Sequence, residues 1–154
     1  MARWDEFERL APEIAAGGRK LIYQHGIGLG YLATVRKDGG PRLHPFCPII
    51  AAGGLYGLFV PSPKRYDLAR DGRSAIHAFP ADEVDDEFYV AARAHPEPSA
   101  TVREAVAEVY RASGGNTNDT EDLFEFDIER ALLATYKFRG DWPPLYQKWA
   151  AAGG

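Results

Sequence analysis

Tyr31-Leu32-Ala33-Thr34-Val35, then Lys37-Asp38-Gly39-Gly40, then Pro41-Arg42-Leu43-His44-Pro45 is the stretch from which the fold is read. Its first five residues are strand formers. Asp38-Gly39 supplies the positive backbone φ that a tight hairpin turn requires. The chain therefore turns back at once, and Arg42 to Ile50 reads as the antiparallel return strand. A parallel pair needs a crossover of a dozen or more residues, so this join excludes a doubly wound parallel sheet. Arg42 and His44 alternate with Leu43, which predicts two distinct faces with the polar residues outward. Pro45 and Pro48 cannot donate ladder hydrogen bonds and predict an edge, a bulge or a kink.

Outward from this hairpin the same character continues. Gly53-Gly54 makes a second turn, and Leu55 to Val60 a third strand. Pro61-Ser62-Pro63 ends it, Lys64 to Arg70 reads as a short helix, and Asp71-Gly72 closes that helix. Ser74 to Phe79 and Phe88 to Ala94 are the next strands, separated by an acidic surface loop. Ser99 is a credible N-cap for a helix through Tyr110 whose apolar stripe is Val102, Val106, Val109 and Tyr110. Phe124, Phe126 and Ile128 alternate with acidic residues, favouring a strand over at least the first half of 124–138. Before the hairpin, Trp4, Phe7 and Leu10 mark one short amphipathic helix and Pro12 opens another, which Gly17 and Gly18 are expected to weaken or break. The result is a single domain. It has a helical start over 3–24, a barrel over about 27–95 and 123–139, and an aromatic tail over 140–154.

The bulk properties are those of an ordinary globular chain of 154 residues, with 45% hydrophobic and 26% charged residues. A net charge of −4 and a pI near 5.6 argue against nucleic acid as a partner. No apolar run is long enough to span a bilayer, and the acidic amino terminus does not resemble a signal peptide, so the expected compartment is the cytoplasm. The one cysteine, Cys47, permits no internal disulfide and lies in an apolar run, where it reads as an inert thiol. His25, His44, His77 and His95 lack the close spacing of a metal site.

One segment carries chemistry. In Val60-Pro61-Ser62-Pro63-Lys64-Arg65-Tyr66-Asp67-Leu68 a strand delivers the chain to a sharp turn and a helix begins. Free backbone N–H groups and the helix dipole favour an anion there. Ser62 adds a hydroxyl, and Lys64 and Arg65 add two cations that oppose the dipole unless an anion is present. A phosphate monoester satisfies all of them; a plain surface helix with two solvated cations is the competing reading. His44, on the preceding strand, would face the same anion if the strands form a meander. Gly26-Ile27-Gly28-Leu29-Gly30 precedes a strand rather than following one, so it fails the context of a dinucleotide loop. Trp142, Tyr146 and Trp149 read as packing on a partner, a planar ligand or the barrel itself.

The hairpin, the Pro63-Lys64-Arg65-Tyr66-Asp67-Leu68 segment and the following Ser74-Ala75-Ile76-His77 resemble, in order and spacing, the pyridoxamine-5′-phosphate-oxidase-like flavoproteins. The resemblance covers about residues 27 to 95. It implies a mainly β (α+β) fold: an antiparallel six-stranded split β-barrel of the FMN-binding type, with flanking helices. It implies a homodimer with flavin at the interface. Lys64 and Arg65 match positions that hold the FMN phosphate, and His44 falls near a phosphate-binding arginine of the oxidases. Val60, Pro61 and Ser62 match the segment beside the flavin, Phe88 lies near the strand lining its ring, and Trp142 belongs to a tail similar to that of some members. The oxidases' C-terminal arginine-and-histidine pattern has no match in Lys137 to Trp142, so activity on pyridoxamine phosphate is not expected. Relatives on this scaffold use FMN, a deazaflavin coenzyme or haem. The leading expectation is an FMN-dependent oxidoreductase of a small-molecule substrate; the alternatives are a deazaflavin-dependent reductase and a flavin- or haem-binding protein without turnover. No residue is marked as a catalytic acid or base.

Overall fold

The computed structural model describes residues 1–153. Helices α1 (Trp4–Leu10) and α2 (Pro12–Ile22) precede strands β1 (Gly30–Val35), β2 (Pro41–Phe46), β3 (Ile49–Ala51) and β4 (Gly54–Phe59). Helix α3 (Pro63–Arg70) follows, then β5 (Arg73–Ala78), β6 (Glu87–Pro96), helix α4 (Ala100–Ala112), β7 (Asp122–Thr135) and β8 (Leu145–Ala150). The hairpin forms as its residues dictate. Gly39 takes a φ of 84°, and β1 pairs antiparallel with β2 from Gly30↔Phe46 to Val35↔Pro41.

All strands belong to one antiparallel sheet in the order β2-β1-β5-β6-β7-β4-β3, with β8 also on β7. Strands β2 and β3 lie at opposite edges, yet only Cys47-Pro48 separates them in the chain. Three residue steps span at most about 11 Å, so the two edges must meet there and the sheet must curl. The barrel is thus closed by a covalent kink rather than by ladder hydrogen bonds, in keeping with the two prolines. The expected six strands become eight for two local reasons. The kink divides the return strand, and the aromatic tail forms β8 along β7, with Arg130↔Ala150 to Thr135↔Leu145 in register.

The core follows the pleat. Leu32, Ile76, Val90 and Ala131 lie abreast across β1, β5, β6 and β7, each 3% exposed or less. Phe46, Phe59, Phe124 and Phe126 pack around them, with Phe46 and Phe59 stacked at 5.9 Å. Helix α2 is continuous through Gly17 and Gly18. A Cβ on Gly17 would lie 2.5 Å from Leu133, and one on Gly18 2.5 Å from the Phe88 ring. Those glycines permit close packing of helix on sheet, which outweighs the roughly 1 kcal/mol of lost helix propensity. Helix α4 covers a second small core of Ile49, Ala51, Tyr56, Val106 and Leu123. Ser99 caps α4, its hydroxyl accepting from Val102 N–H at 3.2 Å. Among the described residues no helix is long and apolar enough to cross a membrane.

Two expectations about β2 are corrected. Its polar residues face inward: His44 lies abreast of the fully buried Leu32, and Arg42 abreast of the buried Thr34. Leu43 stands outward and is 66% exposed. The reason is α3, which covers the inner side of this edge and brings Asp67 as the partner for Arg42. The meander is likewise replaced, because β4 pairs with β7 and not with β2.

Candidate functional site

Helix α3 crosses the end of the barrel with its amino terminus at the β2–β3 edge. Pro63 has no N–H, and the first helical bond is Tyr66 N–H to Ser62 O at 3.2 Å, so the amides of Lys64 and Arg65 lie outside the helical ladder. Ser62 does not cap them; its hydroxyl donates back to Val60 O at 2.9 Å.

Below the helix lies a buried ionic cluster. The Asp67 carboxylate accepts from Arg42 Nε at 2.7 Å, Thr34 Oγ1 at 2.9 Å and Arg70 Nη2 at 3.0 Å. Burial alone pushes the Asp67 carboxyl up, but the bonds from Arg42, Arg70 and Thr34 outweigh it and hold it below the ordinary carboxylate range. Two arginines against one carboxylate leave a net positive charge.

His44 completes this end. Its Nε2 is buried and has no hydrogen-bond partner, a condition shared among the described residues only with Trp4 Nε1. Burial lowers the proton affinity of the imidazole, and the charges of Lys64 and Arg42 lower it further. An orphaned buried nitrogen costs about 1–3 kcal/mol unless something bonds it. Lys64 forms no ion pair among the described residues. An oxyanion at the amino end of α3 would accept from the Lys64 ammonium and from the free amides, so these donors fit a phosphate, and His44 Nε2, closed to solvent as it stands, would join them only after a local shift.

Beside Lys64 is a cavity of about 230 Å³, lined by Pro45, Phe46, Cys47, Ile49, Leu58, Phe59, Val60, Lys64, Tyr110 and Glu121. Of the sequence-derived candidates, Val60 and Lys64 line this cavity, His44 lies within reach of the Lys64 charge but not on the cavity wall, and Pro61 and Ser62 form the turn between Val60 and α3. The other sequence-derived candidates are placed elsewhere. Arg65 turns away from the cavity, donating to Thr120 O at 2.8 Å and pairing with Asp122 at 3.2 Å, which ties α3 to the start of β7. Phe88 is fully buried, edge-on to Trp4 at 6.3 Å, because the α1–α2 cap covers that stretch of β6. Trp142 is 72% exposed in the turn between β7 and β8. That turn is pinned by the acidic loop, with Gly140 N–H to Asp85 at 3.0 Å and Arg139 to Asp82 O at 2.6 Å. It lies at the far end of a 14-residue strand from Asp122 and Arg65. Sequence reading missed Thr34, Arg42, Asp67 and Tyr110, because their relation to the site exists only once the barrel is closed.

The outer side of the same sheet is unlike the inner. Pro45, Tyr31, His77, Tyr89, Leu132 and Lys148 lie abreast across six strands. The next row is Leu43, Ala33, Ala75, Ala91, Arg130 and Ala150. Among the described residues no helix covers these rows at β1–β5–β6, and the side chains are mostly apolar.

Comparison with known proteins places the fold. No sequence family and no curated protein matches the chain. Solved structures do match in shape. A haem-binding protein from Mycobacterium smegmatis aligns at a TM-score of 0.64 and 16% identity, over 88% of this chain and 57% of that one. This chain thus spans little more than half of that protein. A putative pyridoxamine 5′-phosphate oxidase from Listeria innocua aligns at 0.61 and 15% identity, over 75% of this chain and 93% of that one. A NimC/NimA family protein from Clostridium acetobutylicum aligns at 0.62 and 16% identity, over 87% and 94%. The shared feature is the split barrel with its flanking helices.

Proposed function

We propose that this chain, which has the split-barrel fold of the pyridoxamine-5′-phosphate-oxidase-like proteins, binds FMN as a homodimer and serves as an oxidoreductase of a small-molecule substrate. The observation that carries the reading is the buried, partnerless His44 Nε2 beside the unpaired Lys64 at the open amino end of α3. Lys64 and His44 would hold the phosphate, with the amides of Lys64 and Arg65 adding directional donors. Val60, Pro61 and Ser62 would flank the ligand as it leaves the anion end. Bound FMN would supply the electron or hydride chemistry, while the protein binds, orients and excludes water.

Size and surface support a second subunit. Complete pockets for small ligands run from roughly 300 Å³ upward, so a cavity of about 230 Å³ holds only part of a flavin. The bare apolar rows on the outer side of the sheet suit a second copy, which would close the site and cover Leu43, Tyr31 and Tyr89. A partner's tail, with its exposed Trp142, is then available to a site that the chain's own Trp142 does not reach.

Haem is the second reading, favoured by the same free imidazole nitrogen and by the haem-binding neighbour. The test is the visible spectrum of purified protein, taken again after excess FMN and desalting. Flavin bands are expected; a strong Soret band would favour haem. A protein that retains neither would move the reading to a deazaflavin coenzyme. Lys64→Ala should weaken FMN roughly 30-fold, as expected for losing a charge-assisted bond of about 2 kcal/mol, and leave riboflavin affinity unaltered. Equal affinity of this variant for FMN would remove the phosphate assignment.

A further inference from the structure

The cavity beside Lys64 has a second polar group that the phosphate does not use. Tyr110 reaches it from the last turn of α4 and shares its lining with Cys47 at the β2–β3 kink. A thiol is a weak hydrogen-bond partner, so the phenol is readily taken over by a better acceptor. Its ring is not free to move away. A Cβ on Gly115 would lie 2.3 Å from Tyr110 Cε2, which means that the Gly115 backbone lies against the ring. Gly115 N–H and Ser113 Oγ both bond to the Tyr110 carbonyl, at 2.9 and 2.8 Å, and fix the turn that follows the helix.

The surroundings of the phenol select the kind of acceptor. Burial and the neighbouring Cys47 and Glu121 push its pKa up to about 12, so it remains a donor at every working pH. The negative charge of Glu121 at this wall disfavours a phosphate there, whereas an uncharged carbonyl carries no such penalty. The remaining walls, Phe46, Ile49, Leu58 and Phe59, are apolar and suit a ring body.

We infer that the Tyr110 hydroxyl donates a hydrogen bond to a carbonyl oxygen on the ring of the bound ligand, making Tyr110 the residue that reads the ring, as Lys64 reads the phosphate. The inference rests on the flavin reading above and goes beyond it by dividing recognition between two elements. Any phosphorylated heterocycle with a ring carbonyl meets the requirement, and FMN is the probe.

Tyr110→Phe keeps the ring and its packing on Gly115 while removing the donor. Equilibrium titrations with FMN and with riboflavin, followed by visible absorption, test the assignment. Both ligands are expected to bind about tenfold more weakly, the effect of one net hydrogen bond, and the flavin bands are expected to shift. Unchanged affinity and bands would overturn the inference, as would a loss confined to FMN, which would put Tyr110 at the phosphate. Failure of the unaltered chain to bind either flavin would overturn the flavin reading and this inference with it. Binding by the unaltered chain with no effect in the variant would overturn the inference alone.

Discussion

Arg42, His44 and Phe46 point from β2 into the barrel, whereas Leu43 and Pro45, each one residue away, stand on its outer side. Strands with one solvated face usually put the apolar residues inward. Here the inner side carries a guanidinium and an imidazole, and the outer side an exposed leucine. The inner polarity is satisfied by α3, whose Asp67 takes Arg42 at 2.7 Å, while His44 Nε2 is left without a partner. On the outer side Tyr31 stacks on Phe79 at 4.6 Å, but among the described residues no helix covers the rows at β1–β5–β6. Each face is therefore incomplete in its own way: one lacks an acceptor, the other a cover. On the proposed function, the first deficit would be met by a ligand within and the second by a second copy without.

The largest effect is expected from breaking the inner face. Asp67→Ala leaves Arg42 and Thr34 facing an emptied buried site and should cost about 3 kcal/mol, measured as the shift of a urea unfolding curve. A cost under about 1 kcal/mol would mean that water screens the cluster and that the inner face is not an ordered polar site. On the outer face, Tyr89→Asp places a charge among His77 and Leu132, abreast of it. If these rows are the contact of the proposed dimer, light scattering should show it weakened roughly 30-fold or more, with any flavin retention falling in parallel. A variant that remains dimeric at micromolar concentration would mean that these rows are not the subunit contact.

Acid separates the two faces further. The Asp67 carboxyl titrates below its ordinary value, so its contribution is complete above about pH 4 and is lost as pH falls through the folded-state value. Asp67→Asn should flatten that part of the stability curve. His44 behaves alike in direction for the opposite reason. Its imidazole is held neutral, the unfolded chain takes up the proton first, and stability falls as pH drops below about 6.5. His44→Gln should remove that slope, and an unchanged slope would place its origin in another group. The smallest effect is expected from Arg65→Ala. That guanidinium is bonded to Thr120 O and paired with Asp122, so its loss should cost about 1 kcal/mol of stability and weaken FMN less than threefold. A loss of affinity as large as that of Lys64→Ala would return Arg65 to the phosphate.

Much of the architecture was legible because it is local. Asp38-Gly39 specifies a hairpin turn, Pro45 and Pro48 specify an interrupted edge, and Ser99 specifies a helix start. Lys64 could be singled out for the same reason, since a cation in the first turn of a helix is visible in sequence order. Arg65 looked equivalent because adjacency in sequence hides direction. Successive helical residues point about 100° apart, and only one of this pair faces the cavity. Phe88 lies on β6 and Trp142 in the aromatic tail, as their sequence neighbours indicate, but their directions depend on the α1–α2 cap and on the β7–β8 turn. The face of β2 was misread because alternation reveals that two faces differ, not which of them is covered.

The order of the elements, the antiparallel joins and a helix start bearing free amides and two cations can be read along the chain, because interactions within a few residues set them. The closed barrel, the placing of His44 beside Lys64 across 20 residues of chain and the meeting of Tyr110 with Cys47 were decided by tertiary structure alone. The physical reason is that β2 and β3 occupy opposite edges of one sheet yet are joined by two residues. That constraint is global: it acts only when every strand between those edges is in register.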